Sequence, residues 1–304
     1  MFGVTIREIR KSKSMTLKEA AGDTLSISQL SRFENGKSVI PVNLFYEILD
    51  NLNTTTEEFY YFMGQKKDRA ILKTFDRIEA YVSKRDQVKL KQLKSELEAE
   101  NPALYSWGQF LIYFIDSILN LYDSKEQNTA QPVLNYLMQV DDWGEMELRL
   151  YALFGFVFEV ETTHFLMHTA LKRSRKYLTV PAAARLLHTI LSNNFSTFLF
   201  YGHIEYAEET ITLFDTEYSE NIDALTPHID FTFNKGLLAF KKGDPDKGRE
   251  YCEQAIAICD LFRQKESGNM YRNRYDTWKT EYNDPKFREL KVNVGFHDRM
   301  NGEE

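Results

Sequence analysis

Two helix-start signals lie only ten residues apart near the beginning of the chain. Each is a hydroxyl residue followed three positions later by Glu or Gln: Thr16 with Glu19, and Ser26 with Gln29. In this capping-box pattern, each of the two side chains accepts a hydrogen bond from the other residue's backbone N–H at the start of a helix. Gly36 follows the second segment and can adopt the left-handed conformation that ends a helix. The spacing therefore predicts two short helices joined by a tight turn.

Apolar spacing predicts three further helices around this pair. One precedes it, with Ile6 and Ile9 facing inward, and one follows Pro41, a residue that suits a helix start. A fifth covers "TEEFYYFM" and stops at Gly64. The fourth is expected to bury Val42, Phe45, Ile48, Leu49 and Leu52. Five short helices, two of them joined by a tight turn, indicate a helix-turn-helix DNA-binding domain over residues 1–65.

The third helix has two chemically different sides when it is plotted at 100° per residue. The broad apolar side carries Ile27, Leu30, Phe33 and Glu34. The polar side carries Ser28, Gln29 and Arg32, which we call the reading face. Hydroxyl, amide and guanidinium groups are those that read base edges in the major groove. The alternative is an ordinary exposed helix side on which Gln29 only closes the capping box.

Glu34 falls on the buried side of this helix, where a lone carboxylate is costly. Arg10 lies one turn after Ile6 in the first helix, so it points to the same edge of the core. A guanidinium can bind a carboxylate through two parallel hydrogen bonds. We therefore predict a partly buried Arg10–Glu34 pair that stabilises the domain.

Residues from Ile6 to Leu52 resemble the Cro/phage-repressor type of helix-turn-helix. The resemblance rests on Arg10, on "TLKEA" at 16–20 and on "SQLSRFENGK", although "AAGDTLS" replaces a more apolar turn. In that family, residues at the positions of Ser28, Gln29 and Arg32 reach base edges, and residues near Asn35 and Lys37 hold phosphate. The resemblance therefore implies DNA binding through these five residues and Lys18.

The charge of this domain limits its affinity for DNA when it acts alone. Residues 1–40 hold seven basic and four acidic residues, and residues 41–65 add four acidic ones. Phosphate neutralisation supplies most non-specific affinity, so we expect two domains to act together in a homodimer on an imperfect palindrome. Residues 66–94 hold ten basic and four acidic residues. They are interpreted as a solvated linker helix or, alternatively, as a contact to flanking phosphates.

The remaining chain, residues 66–304, reads as one helix after another. The 304 residues contain only 14 Gly and 7 Pro, and no long alternation of apolar and polar residues indicates a strand. In "FTFNKGLLAFKKGDPDKGREYCEQAIAI", small residues at three- and four-residue steps let two antiparallel helices pack closely, which is typical of a tetratricopeptide repeat. We therefore predict an all-α protein whose second domain is a right-handed superhelix of helical hairpins, with the first helices lining a concave face.

Sequence signals for other classes of protein are weak. Cys252 and Cys259 are too far apart on one helix for a bridge, so they indicate reduced thiols in a cytoplasmic protein. No signal peptide opens the chain, and no apolar run approaches the 18 residues of a membrane span. His164 and His168 have the spacing of a helical metal pair, but no third ligand is evident. We expect no enzyme activity, no cofactor and no metal.

The predicted helix-turn-helix domain at 1–65, followed by the repeat domain at 66–304, resembles the Rgg family of regulators. In the repeat domain, "YLMQVDDWGEMELRLYALFGF" carries the resemblance, with Trp143, Glu147 and Leu150 at family-like spacing. It implies cytoplasmic homodimers that bind promoter DNA and respond to a short secreted hydrophobic peptide, as in quorum sensing. Two alternatives stay open: a phage- or antitoxin-type repressor whose body binds a protein partner, and a scaffold with a vestigial helix-turn-helix.

Four polar residues lie inside apolar stretches in the first helices of successive hairpins and are candidates for binding the peptide: Arg149, Asn193, Asn194 and Asn234. Asn can both donate to and accept from a peptide backbone, and Arg can hold an acidic side chain or a free C-terminus. The expected peptide is therefore short, apolar and acid-bearing. The alternative is that neighbouring loops satisfy these groups and no ligand is involved.

Overall fold

The computed structural model describes residues 2–23, 25–63, 68–123, 129–177, 180–218 and 225–291. The described residues contain helices and loops and no β-strand, which confirms the all-α prediction. The chain divides into two compact units, Met1–Lys84 and Arg85–Glu304, which we call the head and the body. None of the described helices is long and apolar enough to cross a membrane.

The head contains six described helices. They are α1 (Phe2–Ser12), α2 (Leu17–Ala21), α3 (Ile27–Glu34), α4 (Val42–Asn51), α5 (Thr56–Met63) and α6 (Asp68–Ser83). The first five are the helices that the sequence predicts. The predicted first domain ends at residue 65, whereas the first compact unit extends to Lys84 and includes α6.

Side-chain bonds begin both central helices, and a backbone turn at Gly36 ends α3, as predicted. The hydroxyls of Thr16 and Ser26 each accept a bond from the backbone three residues on, and both capping boxes are closed. Gly36 has a φ of +69°, which an L side chain adopts only with strain. The backbone N–H of Lys37 then donates to the carbonyl of Arg32 over 2.8 Å. The capping boxes and the helix end at Gly36 that the sequence predicts are therefore both present.

The core of the head is an apolar cluster from α1 to α5. Its buried members are Ile6, Ile9, Ala20, Ala21, Leu25, Leu30, Phe33, Ile48, Leu49, Leu52 and Phe59. Two apolar residues that the helix plots placed inward are instead exposed, Ile27 by 48% and Val42 by 68%. Both stand at the first position of a helix, where no preceding turn covers the side chain.

The body contains ten described α-helices. They are α7 (Gln87–Ala99), α8 (Trp107–Asp123), α9 (Gln131–Gln139), α10 (Glu145–Phe154), α11 (Val160–Arg173), α12 (Pro181–Tyr201), α13 (Ile204–Leu213), α14 (Leu225–Lys241), α15 (Pro245–Leu261) and α16 (Lys265–Glu281). A 3₁₀ turn at Arg175–Tyr177 and a π-helical turn at Phe214–Tyr218 extend two of them.

These helices form two layers. Helices α8, α10, α12, α14 and α16 pack side by side, and we call them the first-helix layer. Helices α9, α11, α13 and α15 each pack on a neighbouring first helix, and we call them the second-helix layer. The remaining helix, α7, packs on α8 at the start of the body. This is the arrangement of stacked helical hairpins that the sequence predicts.

The hairpin of α14 and α15 shows why small residues recur here. A Cβ placed on Gly236 would lie 2.5 Å from the sulfur of Cys252 and 2.9 Å from the carbonyl oxygen of Gly248. The helices therefore approach each other more closely than a side chain at position 236 allows. Cys252 and Cys259 are free and buried, and burial raises the pKa of the Cys252 thiol to about 12.

Candidate functional site

The reading face lies on the solvent side of α3. Ser28, Gln29 and Arg32 are all exposed, while Leu30 and Phe33 on the opposite side belong to the apolar core. The helix is therefore fixed from one side only. A groove of nucleic acid could reach the three polar side chains without any rearrangement of the core.

Two residues of the reading face are engaged by the helix start. The side-chain carbonyl of Gln29 accepts from the backbone N–H of Ser26 over 3.0 Å and lies 2.9 Å from its hydroxyl. The hydroxyls of Ser26 and Ser28 lie 3.0 Å apart. Gln29 would have to leave the capping box to bind adenine through both its oxygen and its nitrogen. Arg32 belongs to no such arrangement and is therefore the residue that best tests base reading.

The predicted phosphate-binding residues lie beyond the end of α3, and both are exposed. Asn35 donates to the carbonyl of Ser31 over 2.7 Å and accepts from the guanidinium of Arg7 over 3.0 Å. Lys37 follows in the turn, and Lys18 is exposed on α2. Arg7 is not among the predicted DNA-binding residues, because its contact with Asn35 forms only in the folded head.

A buried ion pair connects the helices behind this face. Arg10 donates from Nε and Nη2 to the two carboxylate oxygens of Glu34, each over 2.7 Å. Its Nη1 also donates to the carbonyl of Met15 over 2.9 Å. The guanidinium thus joins α1, the approach to α2 and the end of α3. This geometry is the bidentate pair that the sequence predicts, and it fixes α3 relative to α1.

In the body, Arg149 lies on α10 with 16% of its side chain exposed. Its Nε and Nη2 lie 2.8 Å and 2.7 Å from one carboxylate oxygen of Glu145, one turn earlier in the helix. Glu145 precedes Arg149 by four residues on the same helix, a spacing that brings the two side chains together. A peptide carboxylate at Arg149 would therefore compete with an existing and more exposed carboxylate.

The three asparagines that were expected to line an open face are buried instead. Asn193 donates to the carbonyl of Ala152 over 3.2 Å, and Asn194 donates to the hydroxyl of Tyr151 over 2.9 Å. Both bonds connect α12 to α10 inside the first-helix layer. The amide nitrogen of Asn234 is enclosed in α14 and has no hydrogen-bond partner among the described residues. The expectation of an open asparagine surface is therefore corrected, because all three side chains are buried.

The structure adds a buried polar cluster that no sequence pattern indicates. The buried carboxylate of Asp230 on α14 accepts from Ser192 on α12 over 2.5 Å and from Tyr271 on α16 over 3.1 Å. The Nε2 of His188 lies 3.4 Å from the same carboxylate. Burial by itself raises the pKa of Asp230, but His188, Lys291 and Ser192 together hold it well below its usual range. The carboxylate therefore stays ionised inside the layer.

The segment that follows α16 returns to the first-helix layer. The backbone N–H of Lys291 donates to Ser196 on α12 over 2.8 Å. The carboxylate of Glu289 accepts from Arg274 over 2.8 Å and from the indole of Trp278 over 2.7 Å. Burial raises the pKa of Glu289, but Arg274, Trp278 and Lys291 together outweigh this effect and lower it. Residues 287–291 therefore occupy part of this layer in the described conformation.

Two family models match the chain. Residues 89–273 match the C-terminal domain of the HTH-type transcriptional regulator Rgg, and residues 6–59 match a helix-turn-helix model. The first match alone covers more than half of the chain. Its bounds fall within the body, and those of the second fall within the head.

Solved structures share this fold over almost the whole chain. A candidate transcriptional regulator from Listeria monocytogenes EGD-e has 21% identity and a TM-score of 0.76, covering 93% of this chain and 98% of that one. The pheromone receptor Rgg2 of Streptococcus dysgalactiae has 21% identity and a TM-score of 0.70, covering 91% and 99%. The PrgX/cCF10 complex has 13% identity and a TM-score of 0.70, covering 92% of each chain. At these identities the likeness concerns the fold.

Proposed function

The chain belongs to the Rgg family of helix-turn-helix transcriptional regulators, and from this premise we propose a peptide-gated function. In this proposal a homodimer binds promoter DNA in the cytoplasm through the reading face of α3. A short hydrophobic peptide bound by the body controls that binding. The observation that carries the proposal is the exposed polar side of a doubly capped α3, in a chain whose body matches the Rgg domain.

The chemistry of the head supports base recognition in the major groove. An α-helix fits this groove, and Arg binds guanine through two hydrogen bonds. Arg32 is exposed on the side of α3 away from the core, and Lys37 is exposed in the turn that follows. We assign Arg32 to base contact and Lys37 to phosphate contact. Lys18, Ser28, Gln29 and Asn35 complete the proposed DNA-binding set.

The full-length protein is first used to select its operator from a library of random DNA duplexes. Variants are then tested on the selected sequence. Arg32→Ala should cost about 1–3 kcal/mol on the selected sequence and relax its preference at one or two base pairs. Lys37→Ala should weaken all sequences alike and reduce the salt slope by about one. Lys247→Ala removes an exposed cation from the body and should change neither quantity. An unchanged preference with Arg32→Ala would exclude the reading face.

The helix-turn-helix region at 1–65 has a net charge close to zero, so a single copy should bind DNA weakly. This supports a dimeric arrangement. A dimer places two reading faces on half-sites about one helical turn apart, or a multiple of it, and the selected operator should therefore be an imperfect palindrome. Light scattering on the free protein and on its DNA complex measures the stoichiometry. A monomer that binds the operator tightly would contradict this part of the proposal.

For the peptide, the structure favours Arg149 over the asparagines as the direct contact. It is the charged donor of the four candidates, and its partner Glu145 is half exposed, so an acidic group can replace that partner. Asn193, Asn194 and Asn234 are enclosed, and we assign them a structural role within the first-helix layer rather than a direct contact with the peptide. The similarity to Rgg2 and to the PrgX/cCF10 complex supports a peptide as the ligand.

Synthetic peptides encoded by small reading frames beside the gene test this assignment. Arg149→Ala should weaken binding of a labelled, acid-bearing apolar peptide at least about tenfold, because it removes a charge-assisted bidentate contact. Operator affinity of the free protein should not change. Lys172→Ala, an exposed cation on α11, is the matched control. Failure of every such peptide to bind would favour a repressor whose body takes a protein partner.

A further inference from the structure

A cluster of two histidines and one glutamate lies in the second-helix layer and includes none of the residues assigned above. His164 and His168 are one turn apart on α11, and Glu209 lies on α13. The Nε2 atoms of the two imidazoles lie 2.6 Å and 3.0 Å from the two oxygens of the Glu209 carboxylate. The sequence shows the histidine pair, but the third member comes from a helix 45 residues further on.

The orientation of His164 is fixed by stacking. The ring of Tyr206 lies 3.9 Å from the His164 ring with an interplanar angle of 9°. His203 stacks on the same Tyr206 ring at 5.3 Å. Phe198 contacts the His164 ring at 6.0 Å with its plane inclined by 65°. Tyr206 precedes Glu209 by three residues on α13, so one side of this helix both holds His164 and presents the carboxylate. The Nε2 atom is therefore directed at Glu209.

The distances within the cluster suit a metal ion after a small adjustment. One ligand atom from each residue lies within 4.8 Å of the other two. Bonds of about 2.0–2.1 Å in tetrahedral geometry place ligand atoms roughly 3.3 Å apart. The two Nε2–oxygen separations would open by less than about 1 Å, and ligand atoms up to 4.8 Å apart would close by at most about 1.5 Å. The side chains are 24–44% exposed, so they have room to move. The same exposure gives an ion and water access to the site.

We propose that His164, His168 and Glu209 bind one Zn²⁺ ion, with water at the fourth position. Two imidazoles and one carboxylate form a donor set that suits zinc, whereas Mg²⁺ and Ca²⁺ prefer oxygen ligands alone. The ion would connect α11 to α13, which both pack on α12. The site is separate from the peptide and DNA contacts, so it does not depend on the proposed function.

The test uses the full chain without an affinity tag, because tags supply histidines of their own. After removal of bound metal, Zn²⁺ is titrated in competition with a chromophoric chelator, and Co²⁺ serves as a spectroscopic probe of tetrahedral geometry. We expect one ion per chain. His168→Gln and Glu209→Gln should each weaken binding at least about tenfold and reduce the visible Co²⁺ absorption. Glu205→Gln, one turn before Glu209 and exposed, should leave both unchanged.

A second readout separates a metal site from a mere hydrogen-bonded cluster. The three tryptophans, Trp107, Trp143 and Trp278, all lie in the body, so their fluorescence reports its unfolding. Zn²⁺ should raise the melting temperature of the parent protein and of Glu205→Gln, but not that of His168→Gln, since an ion that binds the folded state stabilises it. Equal zinc affinity for the parent and the double variant His164→Gln/His168→Gln would overturn the proposal.

Discussion

Glu34 in the head and Asp230 in the body are both buried carboxylates, but different partners stabilise them. Glu34 is 2% exposed and receives two hydrogen bonds from a single guanidinium, that of Arg10. Asp230 is 4% exposed, accepts from the hydroxyls of Ser192 and Tyr271, and has the imidazole of His188 close by. One region therefore concentrates its compensation in one residue, while the other distributes it over three residues on two neighbouring helices, α12 and α16.

The difference predicts how each region responds to the loss of one group. A buried ion pair that loses one member leaves an uncompensated charge, which is strongly destabilising. A carboxylate with several donors retains most of them when one donor is replaced. Replacing the carboxylate itself by a neutral side chain leaves no buried charge that needs those donors. The head should therefore depend on one contact far more than the body does.

Arg10→Ala should produce the largest effect, a loss of about 3–5 kcal/mol in the stability of the head, because Glu34 is left charged and enclosed. Hydrogen exchange of the α3 amides measures this loss, since the head contains no tryptophan. Lys11→Ala, at an exposed neighbouring position, should have little effect. The double variant Arg10→Met/Glu34→Leu should recover much of the stability, because no charge then remains buried.

An effect of Arg10→Ala near zero would show that the apolar core alone holds the head together. A double variant as unstable as the single one would show that the shape of the pair, rather than the stranded charge, matters. Either result would remove the contrast between the two regions.

Asp230→Asn should have a smaller effect that depends on pH. The pKa of Asp230 is lowered in the folded protein, so its ionised form contributes stability above the pKa of the unfolded chain, about 3.9. This contribution is lost progressively as the pH falls below about 4. At pH 7 the variant should lose about 1.5–3 kcal/mol, as expected for hydrogen bonds to a charged group. The difference from the parent should shrink on acidification.

Urea unfolding followed by tryptophan fluorescence measures this difference at several pH values. Asp246→Asn is the matched control, because its carboxylate is 92% exposed. A loss at pH 7 that persists unchanged at low pH would mean that the Asn side chain disturbs packing. The ionised carboxylate would then contribute nothing to the body.

Gly236→Ala should lower the stability of the body by about 1–3 kcal/mol, the usual cost of overpacking. The added methyl group meets the sulfur of Cys252 and the backbone of Gly248, and backbone atoms cannot move aside. Gly144→Ala is the control, since the nearest atom to a Cβ there is a carboxylate oxygen of Glu147 at 3.6 Å. Equal stability of the two variants would show that the hairpin adjusts freely. The polar cluster at Asp230 would then be the more specific constraint on the body.

The head could be predicted closely from the sequence because its determinants are local. Capping boxes act over three residues, and Gly36 ends α3 through its own backbone conformation. Even the Arg10–Glu34 pair spans only 24 positions within a recognisable pattern. In the body, the helices and the close approach at Gly236 followed from apolar periodicity and small-residue steps.

The positions of the body's polar side chains were decided by the tertiary structure alone. Periodicity fixes the side of a helix on which a residue lies, but it does not say which other helix covers that side. Asn193 and Asn194 were therefore expected at an open face, although α10 encloses both. The partners of Asp230 lie at positions 188, 192 and 271, and Glu209 meets His164 across 45 positions. Such contacts depend on how whole hairpins stack, because each hairpin buries its apolar side only against its neighbours.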